Sequence, residues 1–256
     1  MYEILLTFDV EEFDLPLEYG ITISDNEQMK VGKNGLDAIN EILEDDGIHC
    51  TLFTTANFAM RFPEQIYRLS QRHEIASHTF FHSSFDKKDL KNSLDVLESI
   101  TLKKIFGIRM PRMQKIDMQW LKEAGYKYDS SINPTWIPGR YNNLSKPRKY
   151  YLESGILRVP VSVSANFRIP LFWLAFKNFP YSYFKRIAIQ SLKKDGYLSL
   201  YFHPWEFTDL SDYKLPNMVK RKSGKELLDK LTQLIGDLKN EGNFITINSF
   251  LDKKTF

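Results

Sequence analysis

Short apolar runs alternate with amphipathic stretches along the whole chain. Ile4-Leu5-Leu6-Thr7-Phe8 reads as a buried strand. Leu36, Ile39, Ile42 and Leu43 recur at helical spacing, and Gly47 ends that helix. A strand over 50–54, a helix through Ile66 and Leu69, and a short strand Glu74-Ile75-Ala76 come next. Leu90, Leu94, Leu97 and Ile100 mark another helix, then a strand over 105–109 and a helix over 118–124 closed by Gly125. Further strands are expected over 126–129, 156–160 and 197–202. The last helix opens on a capping box, Ser223-Gly224-Lys225-Glu226, carries the stripe Leu227, Leu231, Leu234, Leu238, and gives way to a strand over 244–247. Strands that alternate with helices pair in parallel through crossovers. About seven or eight such units suit a closed or nearly closed barrel better than an open sheet. No repeat or linker divides the chain, so one domain over 1–256 is expected. The one long irregular stretch, 133–154, is expected to have a function or act as a lid.

Composition narrows the classes. Of 256 residues 43% are hydrophobic and 26% charged, as in ordinary globular proteins. A net charge of +3 with scattered basic residues argues against a nucleic-acid partner. The single cysteine, Cys50, forbids an internal disulfide and sits in an apolar run, where a small buried residue is expected rather than a nucleophile. The first residues lack a basic start followed by an apolar signal core, and no segment is long and apolar enough to span a bilayer. The expected location is cytoplasmic. Oligomeric state is not legible.

The polar surprises fall at strand ends, where catalytic groups sit in parallel barrels. Asp9, Glu11 and Glu12 crowd the end of the first strand, which is costly unless a cation neutralises them or one stays protonated; the alternative is a solvated acidic loop. His78 and His82 are four apart, and on a helical turn both rings would face one ion; imidazole with carboxylate suits Zn²⁺ and similar metals. His73 nearby reads as structural. Arg109 needs a carboxylate partner, Asp9 or Asp129, whereas Arg112 reads equally well as a surface ion pair. His203, between a buried strand and Pro204-Trp205-Glu206, is either a satisfied core histidine or a proton-transfer group.

Together these clusters resemble the polysaccharide deacetylases of the NodB-homology type, carbohydrate esterase family four. Thr7-Phe8-Asp9 resembles the family's first motif, His78 and His82 its metal pair within Glu-Ile-Ala-Ser-His-Thr, and Arg109 with Pro111 its Arg-x-Pro motif. Asp129-Ser130-Ser131 resembles the fourth motif and His203 the last. The Phe-Asp-Val-Glu opening, the His-Pro-Trp-Glu close and the stretch from Leu215 through Gly224 resemble a branch found in bacterial exopolysaccharide clusters. The resemblance covers nearly the whole chain and implies a distorted (β/α)7 barrel.

It also implies roles. Asp9 is the expected base, Arg109 the residue that orients it, His203 the general acid and Asp129 the residue that tunes that histidine. A divalent metal, zinc or else cobalt, nickel or iron, is expected on His78, His82 and a carboxylate. The common first motif has two adjacent aspartates, but Val10 fills the second place here, so Glu11 takes the metal and Glu12 is the substitute. Met113 also departs from the pattern, standing where a glycine-like turn is usual. The implied reaction removes the N-acetyl group of a sugar in a polysaccharide, oligosaccharide or glycan precursor. The alternatives are an amidohydrolase of the same fold acting on a small cyclic amide or ureide, and a non-catalytic glycan-binding relative. The eight aromatic rings of the segment from Phe167 to Phe184 are expected to form a buried helix; the competing reading is a platform for sugar rings, a lipid carrier or a membrane surface.

Overall fold

The computed structural model describes residues 2–254; Met1 and residues 255–256, the ends of the expected domain, lie outside the described residues. The first strand, β1 (Tyr2–Val10), is buried over its last seven residues and pairs with three other strands. Helices α1 (Asp25–Ala38) and α2 (Asn40–Glu44) lead to β2 (Thr51–Thr54). Next come α3 (Ala56–Arg61), α4 (Pro63–Ser70), β3 (Glu74–Ser77), α5 (Asp89–Thr101), β4 (Gly107–Ile108), α6 (Met118–Ala124) and β5 (Tyr128–Asp129). The stretch expected to be irregular folds into an antiparallel hairpin, β6 (Trp136–Ile137) with β7 (Tyr141–Asn142), and a strand, β8 (Tyr151–Glu153), that turns back on β9 (Ile156–Arg158). The chain closes with α7 (Trp173–Asn178), α8 (Tyr181–Asp195), β10 (Tyr197–Phe202), α9 (Asn217–Lys220), α10 (Lys225–Lys239), β11 (Gly242–Phe244) and α11 (Ile247–Asp252).

The sheet runs β10-β1-β2-β3-β4-β5-β9-β8, parallel except for the last pair. β10 pairs with β1 from Glu3 to Phe8; β2 takes the upper half of β1 and β11 its lower half. The ring of strands stays open between β9 and β10. The chain just beyond β9 crosses that gap: Ser162 N–H donates to Ser199 O at 2.9 Å, and Ser199 N–H donates to Ser162 Oγ at 2.9 Å. Helix stripes such as Leu90, Leu94 and Leu97 on α5, and Leu227, Leu231 and Leu234 on α10, pack into one core with Ile4, Leu6 and Phe8.

Several local expectations are corrected. The helix expected around Leu36–Leu43 begins at Asp25, capped by Ser24 Oγ accepting from Glu27 N–H, and breaks at Ile39. The capping box at Ser223 does not form: Gly224 is the N-cap of α10, and Ser223 Oγ instead accepts from Leu210 N–H. The last strand ends at Phe244, and Thr246 caps a helix, α11, where strand was expected to Ile247. The aromatic segment is two helices, because Pro180 supplies no N–H and separates α7 from α8.

Two glycines fix how α1 lies on the sheet. A Cβ on Gly32 would come within 2.4 Å of Glu11 O, and one on Gly35 within 2.2 Å of Pro204 O. One turn of a helix is thereby pressed against the chain beside Glu11 and the chain beside His203.

Candidate active site

Parallel pairing puts the C-terminal ends of β1, β3, β4 and β10 at one edge of the sheet, and the residues just past those ends meet there. Asp9, Glu11, His78, His82 and His203 line one cleft of about 270 Å³, with Arg109 buried beneath it. The β6–β7 hairpin supplies Ile137, Pro138, Arg140 and Tyr141 to its wall, and α7 supplies Trp173 and Leu174.

His78 and His82 do not lie on a helical turn. They lie in an irregular loop after β3, turned by Thr79 at φ 63°. The rings stack with centroids 5.4 Å apart. His78 Nδ1–H donates to Arg109 O at 2.8 Å, and His82 Nδ1–H donates to Asp14 Oδ1 at 2.7 Å. Both Nε2 atoms therefore face inward, 3.0 Å and 3.1 Å from the same oxygen, Glu11 Oε2. Glu11 Oε2 and His78 Nε2 are buried without a hydrogen-bond partner. Two neutral imidazoles would point bare lone pairs at a carboxylate, an arrangement that needs protons or a cation between them. Burial alone would raise the Glu11 carboxyl; the charge of His82 and the contact with His78 outweigh it and hold the group far below the usual carboxylate range. Burial alone would lower His82, but Glu11 and Asp14 push it up to about 9. The three side chains bring one ligand atom each within 4.8 Å of one another, a donor set that fits a divalent metal.

Each acid near the end of β1 has its own partner. Asp9 Oδ1 accepts from Arg109 Nη1 at 2.5 Å, and its Oδ2 lies 3.9 Å from His203 Nε2. Glu11 Oε1 accepts from Trp205 Nε1–H at 3.0 Å. Glu12 is turned away from the histidine rings: it accepts from Thr55 Oγ1, Asn57 Nδ2 and the backbone N–H of His82. Of the two candidate ligands, only Glu11 faces the imidazoles. Arg109 is fully buried. It donates to Thr7 Oγ1, Ser130 Oγ and Ser130 O, and its guanidinium lies over the Phe53 ring at 4.0 Å.

The expected pairing of Asp129 with His203 is not made. Arg158, its register partner on β9, lies 2.8 Å from Asp129 Oδ2, and Ser131 donates to the same carboxylate. Ser131 Oγ in turn accepts from Met110 N–H, so Asp129 braces the loop that carries Arg109. Glu206 takes the place beside His203, with Oε1 3.1 Å from Nδ1 and accepting the His203 N–H at 2.9 Å. Burial alone would lower His203; the hydrogen bond to Glu206, then the charges of Glu11, Glu206 and Asp9, raise it above an ordinary histidine. Glu206 is itself fully buried, with Lys177 Nζ 3.6 Å from Oε2; burial lowers that lysine against the pull of Glu206. Glu206 lies inside the His-Pro-Trp-Glu run. Its spacing from His203 was the available signal, since a turn brings residues three apart together.

Arg112 is more than a surface ion: it pairs with Asp14 and Glu18 and donates to His82 O. His73 is structural, bonded to Leu43 O and beside Cys50; burial lowers it to about 4. Cys50 is buried and its thiol pushed up by that burial, unsuited to nucleophilic work. In the aromatic segment Phe172, Phe176 and Phe184 are buried, while Trp173 meets the His203 ring edge-on at 5.2 Å. Phe167 and Tyr183 are exposed, so a lipid contact through 167–184 would rest on those two rings. Among the described residues no helix is long and apolar enough to cross a membrane.

Residues 3–128 match the model of the polysaccharide deacetylase family. That span holds Asp9, Glu11, His78, His82 and Arg109 and ends before His203. A Pseudomonas aeruginosa PAO1 protein assigned as a polysaccharide deacetylase superposes with a TM-score of 0.66 at 14% identity, over 95% of this chain and 86% of its own. One from Mycobacterium smegmatis, assigned likewise, gives 0.63 at 17%, over 97% and 88%. The Puue allantoinase gives 0.60 at 17%, over 95% and 86%. No curated protein matches the sequence. The likeness to solved structures is one of fold: a curled half-barrel of the NodB-like (β/α)7 deacetylase type.

Proposed function

We propose that this chain is a metal-dependent polysaccharide deacetylase that removes the N-acetyl group of a sugar. The observation that carries the reading is the convergence of His78 Nε2 and His82 Nε2 on the buried, hydrogen-bond-free Oε2 of Glu11, beside an aspartate and a histidine that face each other across the cleft. The family match over 3–128 supports the same reaction class.

Glu11, His78 and His82 would hold a divalent cation, with zinc favoured by two imidazoles and one carboxylate and cobalt, nickel or iron as substitutes. Such a cation supplies polarisation of the amide carbonyl and a lowered pKa for water. Asp9, fixed through Oδ1 by Arg109, keeps Oδ2 toward the cleft. There it accepts the proton of the water whose oxygen bonds to the carbonyl carbon. His203, with Nδ1 held by Glu206, presents Nε2 to the cleft. That nitrogen gives its proton to the departing nitrogen as the C–N bond breaks, leaving a neutral amine and acetic acid, which ionises to acetate in water. Trp173 and Tyr141 on the walls offer faces for sugar rings.

Acetate release from N-acetylchitooligosaccharides by metal-supplemented protein tests the reading. Activity should vanish with a chelator and in His82→Ala. Hydrolysis of a cyclic ureide with no acetate from any sugar would replace it with the amidohydrolase reading.

A further inference from the structure

The mechanism gives no task to the buried carboxylate of Asp14. Asp14 follows the acidic end of β1, is buried, and accepts on both oxygens: Oδ1 from His82 Nδ1–H at 2.7 Å and Oδ2 from Arg112 Nη2 at 2.8 Å. Arg112 donates a second bond, from Nη1 to His82 O at 2.8 Å, and a third, from Nε to Glu18 Oε1 at 2.5 Å. Arg140, on the hairpin over the cleft, donates to the other oxygen of Glu18 at 2.9 Å. Asp14 and Arg112 thus grip the ring and the backbone carbonyl of the same histidine. Arg112 does so at φ 55°, a region disfavoured for a residue with a Cβ, so contacts hold the backbone there against its preference.

We infer that Asp14 is a positioning residue for His82, holding the proton on Nδ1 and turning Nε2 toward Glu11, so that Nε2 is the nitrogen that ligates a divalent cation once its own proton leaves. The inference rests on the metal reading above. A neutral imidazole has two tautomers, and the one protonated at Nε2 cannot bind a metal through that atom. A carboxylate that accepts from Nδ1–H selects the competent form, fixes the ring's rotation and makes Nε2 a better donor. His78 meets the same need with a backbone carbonyl, that of Arg109. The carboxylate on His82 is therefore the only one of the two supports that a side-chain substitution can remove.

The test is the Zn²⁺ affinity of the full chain, stripped of metal and titrated against a chromophoric chelator. Asp14→Ala should bind about 10–100-fold more weakly. Asp14→Asn, whose amide oxygen can still accept from Nδ1–H, should recover part of the loss. Wild-type affinity, within twofold, in both variants overturns the assignment. Wild-type protein that takes up no Zn²⁺ overturns the metal reading and this assignment with it. Long-range ¹H–¹⁵N spectra of zinc-loaded wild-type protein need no variant and stand even if Asp14→Ala does not fold. They should show His82 protonated at Nδ1; a proton on Nε2 overturns the assignment.

Discussion

His203 Nδ1 lies 3.1 Å from Glu206 Oε1, on a carboxylate whose other oxygen faces the Lys177 ammonium at 3.6 Å. Glu206 raises the histidine above its ordinary 6.5, so the ring keeps its proton to higher pH. A general acid that must be protonated is competent below that raised value and fails as pH climbs through it. Activity should therefore fall on the alkaline side later than an ordinary histidine would allow. Glu206→Gln should move that limb downward and leave the acid side in place. A profile of kcat/KM against pH decides; an unmoved alkaline limb would separate Glu206 from the acid.

His203→Ala should keep the metal and lose about 10²–10⁴-fold in kcat. Metal content by mass spectrometry and acetate release together check this. Full activity on an N-acetylated sugar would remove His203 from the reaction.

Metal uptake should release protons. In the metal-free protein His82 is raised to about 9. Below that pH its Nε2 must shed a proton before it can ligate, so apparent affinity rises with pH. The same raised value adds stability to the metal-free fold that is whole below about 6.5 and lost as pH passes about 9. Calorimetry in two buffers of different protonation enthalpy reads the release at pH 7. Identical heats in both buffers would refute it.

Arg109→Met should destabilise the fold by about 3–5 kcal/mol, because it strands the buried Asp9 carboxylate without its cation. Urea unfolding measures the loss, and Asp9→Asn in the same chain should restore part of it. A loss under ~1 kcal/mol would mean the pair is not the anchor described above.

Gly35→Ala tests the clamp of α1. The added methyl would collide with Pro204 O, so either α1 or the turn bearing Trp205 and Glu206 must shift. The expected loss is about 1–3 kcal/mol of stability. Weaker metal binding should accompany it, because Trp205 Nε1–H steadies Glu11. Unchanged stability and affinity would show that the contact yields freely.

The strand–helix alternation carried the architecture, because apolar periodicity is local and survives in the sequence. Asp9, Glu11, His78, His82, Arg109 and His203 could be singled out because each is a polar residue at the end of an apolar strand. What a strand end does not disclose is direction. Glu11 and Glu12 are neighbours, yet one faces two imidazoles and the other Thr55 and Asn57. Asp129 looked like the partner of His203, but a pair on adjacent strands, Asp129 with Arg158, wins by register. The four-residue spacing of His78 and His82 suggested a helical turn, whereas a left-handed Thr79 in a loop achieves the convergence. Gly32 and Gly35 carry no signal in one sequence, since their need arises from chain packed against chain.

β1 bears the acids, yet its longest seam is with β10, and the bond from Trp205 to Glu11 spans 194 residues. Loop-closure entropy rises with the length of chain enclosed, and folds of high contact order assemble slowly. During synthesis the acidic strand must therefore wait, one edge unzipped, until residues 197–202 have emerged. Chemistry cannot begin on a half-made barrel, and the waiting edge is where aggregation or chaperone capture would strike first.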